Sequence, residues 1–211
     1  MTRMDERALS PRLDAEDDDD QKENDEASKN GRPPHLDQAL LDARTLLVSG
    51  PVDDKLCAGV VARLLVLEDR DPEAPITVII NSPGGSADSG FAMYDMLRFV
   101  RCPIRTMVNG LCASAAVLVH LGGDAGSRTA LPGSRFLLHQ PSTAGQGSAS
   151  DLRITAEQIV KLRSSYNQIV ADATGRPLDE ILEAVSRDFW LSAAEAKEYG
   201  LIDKILTSRA S

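Results

Sequence analysis

Thr77-Val78-Ile79-Ile80-Asn81, running into Ser82-Pro83-Gly84-Gly85-Ser86, is a β-branched apolar run broken abruptly at a Pro-Gly-Gly turn. Such a run predicts a strand buried on both faces. Past the turn, Phe91, Tyr94, Leu97 and Val100 recur at helical spacing over 87–100. The same alternation continues outward. Upstream, Leu46-Leu47-Val48 before Ser49-Gly50-Pro51 predicts a buried strand, and Leu56, Val60, Val61, Leu64 and Leu65 predict a helix over 54–68. Downstream, 104–108 reads as a strand, 112–121 as a helix of small residues, and 136–138 as a short strand. Residues 150–172 read as a long polar amphipathic helix and 178–185 as another. A last helix over 192–199 is capped by Ser192 and stopped by Gly200, before a closing strand over 201–206. Strands alternating with helices predict an α/β fold with at least partly parallel strands.

Composition bounds the rest. The 211 residues suit one domain of usual size. Hydrophobic residues make up 42% and charged residues 26%, enough to build a core, and at 4% aromatics that core is mainly aliphatic. A net charge of −9 argues against binding a phosphate backbone, so no nucleic-acid partner is expected. No apolar run approaches the ~18 residues of a membrane helix. The acidic, polar N-terminus does not read as a secretory signal. Cys57, Cys102 and Cys112 form neither a CxxC pair nor a zinc pattern, which fits a reducing, cytoplasmic setting without a metal. Residues 1–36 hold 11 acidic and 6 basic residues, including Asp17 to Asp20 in a row. They read as a disordered acidic tail, with the globular part at 37–211.

Three segments place polar residues where packing alone does not call for them. The first is Asn81 to Ser86, whose paired glycines allow close backbone approach and whose N–H groups, near a helix start, can hold an anion or oxyanion. It lacks the lysine of a phosphate loop, and the plain alternative is a tight turn. The second is Asn109-Gly110-Leu111-Cys112-Ala113-Ser114-Ala115-Ala116, in which a strand ends at Gly110 and Ser114 opens an apolar helix. Its spacing is not that of the GxSxG elbow, and a small residue easing helix packing is the alternative. The third is Arg135 to Pro141, in which His139 ends an apolar strand with an imidazole suited to proton transfer near neutral pH. His35 lies in the tail, and His120 reads as a packing or surface residue of its helix. A serine nucleophile needs a base, and the base needs a carboxylate. Asp188, beside Trp190, is a partly buried candidate, although composition alone does not separate it from the other acids.

Together these segments resemble the ClpP family, the proteolytic subunit of the ATP-dependent Clp proteases. Asn81-Ser82-Pro83-Gly84-Gly85 is similar to the family's glycine motif. Gly110 to Ser114, His139-Gln140-Pro141 and Arg187-Asp188-Phe189-Trp190-Leu191-Ser192 are similar to the segments carrying its serine, histidine and aspartate. The resemblance spans roughly 40–207. It implies the ClpP/crotonase-like spiral of ββα units and a handle over about 142–172. It further implies a Ser114–His139–Asp188 triad and an oxyanion hole from the amides of Gly85 and Ala115. The implied activity is serine endopeptidase hydrolysis of unfolded proteins or peptides through an acyl-enzyme, with no metal or cofactor. The implied assembly is two stacked heptameric rings served by a Clp-type ATPase, which alone uses ATP.

The chain departs from the family at several places. Ala115-Ala116 follows Ser114 where the family has Met-Gly, and Ser186 precedes Arg187 where an acid helps join rings. Thr77, Ile79, Asn109 and Thr129 stand where aromatic or large apolar residues line the ATPase-docking groove, while Phe99, Met107 and Leu131 stay apolar. A weakened ATPase docking, or mixed rings with other ClpP subunits, is the expectation. The alternatives are a weakly active or inactive assembly subunit, a crotonase-like acyl-CoA enzyme, and an adaptor acting through the tail.

Overall fold

The computed structural model describes residues 34–140 and 147–208. Residues 1–33 of the expected tail and 142–146 of the expected handle lie outside them. The chain divides after Leu40 into two units. The described part of the first belongs to helix α1 (Pro34–Asp42), so residues 34–36, grouped with the tail on composition, are helical. Proline suits the first turn of a helix, where its missing N–H has no intrahelical acceptor to lose.

The second unit holds one seven-stranded sheet. Strands β1 (Thr45–Ser49), β2 (Ile76–Ser82), β3 (Ile104–Ala113), β4 (Arg128–Ala130) and β7 (Lys204–Ile205) follow one another across it, all parallel. The far end of β3 pairs in parallel with β5 (Arg135–Leu138), and β5 pairs antiparallel with β6 (Phe189–Ser192). The parallel neighbours are joined through α2 (Asp54–Arg70), α3 (Ala87–Phe99) and α4 (Ala115–Leu121). Then come α5 (Ala149–Thr174), α6 (Leu178–Ala184) and α7 (Ala193–Tyr199). Asp53 caps α2 by accepting from Leu56 N, and Ser192 with Glu195 forms a capping box on α7. All seven residues of α4 are buried, six of them apolar and the remaining one His120.

The core is aliphatic, as composition required: Leu46, Val48, Leu64, Leu67, Ile80 and Leu118 are among its fully enclosed side chains. β2 is not buried on both faces, however. Ile76, Val78, Ile80 and Ser82 are buried, whereas Thr77 and Ile79 are half-buried and Asn81 is exposed. The helices enclose one side of this strand and leave the other only partly covered, so burial alternates with the pleat. β3 does not end near Gly110 but runs on to Ala113. The β2–β3 register shifts between Ile80 and Ser82, and the Asn81 side chain bridges the gap by accepting from Leu111 N at 3.0 Å. Gly110 leaves room for it, because a Cβ there would lie 2.6 Å from Asn81 Oδ1. The helix expected from residue 112 therefore begins at Ala115. β4 and β6 are strands that periodicity missed, being three and four residues long with mixed polarity. Of the closing strand expected over 201–206, only Lys204–Ile205 pairs.

Candidate active site

The topology brings the three singled-out segments to one end of the sheet. β3 and β5 run in parallel with Ala113 opposite Leu137, and Ser114 N donates to Leu137 O at 2.9 Å. Ser114 therefore leaves its strand beside the point where β5 delivers His139. β5 and β6 run antiparallel with Leu138 opposite Phe189. The residues just beyond that pair, His139 and Asp188, are consequently neighbours. His139 Nδ1 lies 3.7 Å from Asp188 Oδ1. This is charge proximity rather than a made hydrogen bond.

Ser114 has φ 56° and ψ −123°, and Arg44 is the other described non-glycine residue with positive φ. A bent, strained serine between a strand and a helix holds its hydroxyl clear of the regular structure on either side. The GxSxG spacing is absent, yet the local shape is the same: strand, sharp turn, helix. Glycines from a neighbouring element make room for it. Gly84 has φ 84°, and a Cβ there would lie 2.7 Å from Ser114 Cβ and 2.9 Å from Ala115 N. Gly90, on α3, faces Ala115, where a Cβ would lie 3.0 Å from that residue's own Cβ.

The Pro-Gly-Gly segment is held from the other side by Val52, whose N–H donates to Gly84 O at 2.9 Å and whose carbonyl accepts from Ser86 N at 2.8 Å. That bridge uses the groups flanking Gly85 and leaves the Gly85 N–H without an acceptor among the described residues. The Ala115 N–H, at the first position of α4, likewise has no acceptor among them. Gly85, Ser114, Ala115 and His139 line one cavity of about 590 Å³. Two unspent main-chain donors, a hydroxyl and an imidazole thus face a common space. That set can hold a tetrahedral oxyanion while a proton passes between oxygen and nitrogen.

Asp188 is not the partly buried acid expected from its neighbours. Its side chain is 66% exposed, and Trp190 beside it is also exposed, because both sit on the outer edge of the sheet. Among the described residues, Ser114 makes no side-chain hydrogen bond with His139, although both line the cavity. Cys112, two residues before the serine, is fully enclosed, and burial pushes its thiol far up, which keeps it protonated and inert. His120 is buried within α4 and meets Leu201 O at 3.2 Å, so it is a packing residue and not a second base.

The middle of α5, expected only as part of a handle, forms a cavity wall through Ile159, Leu162 and Tyr166. The signal was present in their spacing of three and four residues, one face of a helix. Gly90 was missed for want of any sequence signal, since its use depends on which helix comes to lie against it.

Comparison with known proteins identifies the fold and the family. The Clp protease family model matches residues 29–209. A single-site mutant of ClpP1 from Listeria monocytogenes superposes with a TM-score of 0.76 at 35% identity, covering 82% of this chain and 97% of that one. The chain therefore has the ClpP fold and belongs to the Clp protease family.

Proposed function

We propose that the chain is the serine endopeptidase subunit of a Clp-type compartmentalised protease. One observation carries this: a strained serine, two amides without an acceptor among the described residues and a histidine with a carboxylate behind it converge on one cavity. In the proposed reaction His139 takes the Ser114 proton as Oγ bonds to a peptide carbonyl carbon. The Gly85 and Ala115 amides hold the oxyanion, and Asp188 orients and stabilises the imidazolium. The imidazolium then protonates the departing amine, leaving an acyl-serine. Water, deprotonated by His139, releases the acid and restores the hydroxyl. No metal or cofactor takes part in these steps. Labelling by a fluorophosphonate is expected for the native chain and absent in Ser114→Ala. Labelling that persists in the variant, or is absent from the assembled native particle, overturns the assignment.

A second reading, a weakly active assembly subunit, has a specific observation behind it: the 3.7 Å His139–Asp188 separation and the unmade Ser114–His139 hydrogen bond. Catalytic hydrogen bonds are often long without substrate, which favours the protease. The labelling rate separates the two readings.

Family membership supports assembly into two stacked heptameric rings, either of this chain alone or mixed with other ClpP subunits, and service by a Clp ATPase. Exposed Phe99 and Leu131 are apolar anchors for such contacts, but Thr77, Asn109 and Thr129 offer little apolar area. The proposed docking is therefore weak. Native mass spectrometry with a candidate Clp ATPase is expected to show sparse complexes, and saturated docking by rings of this chain alone contradicts it. Among the described residues, no helix is long and apolar enough to cross a membrane.

A further inference from the structure

We infer that Asp88 selects substrates carrying a cationic side chain beside the scissile bond; this rests on the serine-protease reading above and gives its substrate class. The cavity that holds Ser114 and His139 has two kinds of wall. Phe91, Leu118, Ile159 and Leu162 are apolar and sit at intermediate or full burial. Asp88 lies on the same cavity and is exposed. Among the described residues it is the one carboxylate of the lining, and the lining includes no lysine or arginine.

Asp88 and Phe91 are three residues apart on α3, so they share a helix face, and that face lines the cavity. Among the described residues the Asp88 carboxylate has no hydrogen bond or ion pair. Its neighbour Ser89 is committed elsewhere, donating to Asp54 Oδ1 at 2.7 Å. A carboxylate in the first turn of a helix favours the helix dipole, and that is the plain reading of Asp88. The dipole does not explain why the acid stands on the wall of this cavity, beside a greasy surface and without a partner.

The combination matches the shape of arginine and lysine. Their methylene stems cover apolar surface and their charged ends seek a carboxylate or water. A residue whose carbonyl meets Ser114 brings its side chain into the cavity that Ala115, Leu118, Phe91 and Asp88 also line. In the inferred pose a long cationic side chain covers Phe91 with its stem and sets its charge by Asp88, the two sharing one face of α3. An aliphatic residue fills the apolar wall alone and leaves the charge unmatched.

The test uses two peptidyl phosphonate probes, identical except that the residue bearing the electrophile carries either the arginine side chain or its neutral isostere citrulline. The rate of Ser114 labelling is measured in the full assembled chain and in Asp88→Asn. The native chain is expected to prefer the arginine probe, and Asp88→Asn to reduce that preference about fivefold, as an exposed ion pair permits. Raising ionic strength is expected to erode it likewise in the native chain. Asp88→Lys is expected to reverse the order, favouring a probe with a glutamate side chain. An arginine-to-citrulline ratio unmoved by Asp88→Asn overturns the inference while Ser114 labelling itself stands. Failure of both probes and of a small fluorophosphonate to label Ser114 overturns the protease reading, and this inference with it.

Discussion

Ser114 holds its positive φ because one residue anchors its amide and two glycines yield space to the turn. Its amide is tied to Leu137 on one side, and Gly84 and Gly90 remove the side chains that would otherwise collide with Ser114 and Ala115. Strain of this kind survives only where the surroundings over-determine it. Gly84→Ala is therefore expected to do two things at once. It forces a side chain into a φ of 84° and against the Ser114 turn, lowering stability by at least ~1 kcal/mol. It also displaces the serine, so fluorophosphonate labelling slows by more than about tenfold, since small misplacements of reacting groups are costly. Native labelling with unchanged thermal unfolding in Gly84→Ala refutes this account. The glycine pair was legible in the sequence as a turn near an anion site. Residue types alone do not say which of the two keeps its N–H free, although the family resemblance implies Gly85: the Gly84 N–H donates to Ser82 Oγ at 3.1 Å, while Val52 bonds only the groups on either side of the Gly85 N–H.

At the scale of elements, the site is made by strand pairing. β6 is four residues long, and its register against β5 is what sets Asp188 beside His139. The capping box at Ser192 fixes where β6 ends and α7 begins. Ser192 N and Oγ both donate to Glu195 Oε2, at 2.8 and 2.7 Å, and these bonds hold the Glu195 carboxyl below its ordinary range. Ser192→Ala is expected to lower the melting temperature by a few degrees, roughly the effect of one lost cap. Because the folded-state pKa of Glu195 is depressed, the bond's contribution is present at neutral pH. It fades only as pH falls through that lowered value, so the difference between native and variant is expected to shrink in acid. A difference that is constant down to pH 3 contradicts this. Helix capping at 192 and the Gly200 stop were readable from residue types alone. β6 was not, because Phe-Trp-Leu-Ser has no alternation to betray a strand whose edge faces outward.

At the scale of the whole molecule, the buried histidine couples fold to acidity. His120, on the enclosed helix α4, bonds the Leu201 carbonyl near the end of the chain and packs against Phe136 with ring centroids 5.7 Å apart. Burial pushes its imidazole down to about 3, the nearby Arg128 charge acts the same way, and the Leu201 carbonyl opposes them. In the unfolded chain the ring takes a proton near pH 6.5. Between those values the unfolded state binds the extra proton, so stability falls with falling pH, by at most ~1.4 kcal/mol per unit. Denaturant titrations at pH 7.5, 6.5 and 5.5 are expected to show this loss, and His120→Gln to flatten it. The same pH slope in His120→Gln excludes His120 as its source.

Residue types and their spacing alone were enough to determine the alternating α/β order, the aliphatic core, the glycine turn and the three polar segments that stand out from packing. Local chemistry is short-ranged, so a Pro-Gly-Gly break or a serine cap declares itself within a few residues. Only the tertiary structure decided that β3 runs on to the serine, that the middle of α5 walls the cavity, and that Asp188 stands exposed at the sheet edge. Those outcomes depend on strand register and helix packing between segments tens of residues apart, and no local preference encodes which surfaces will meet.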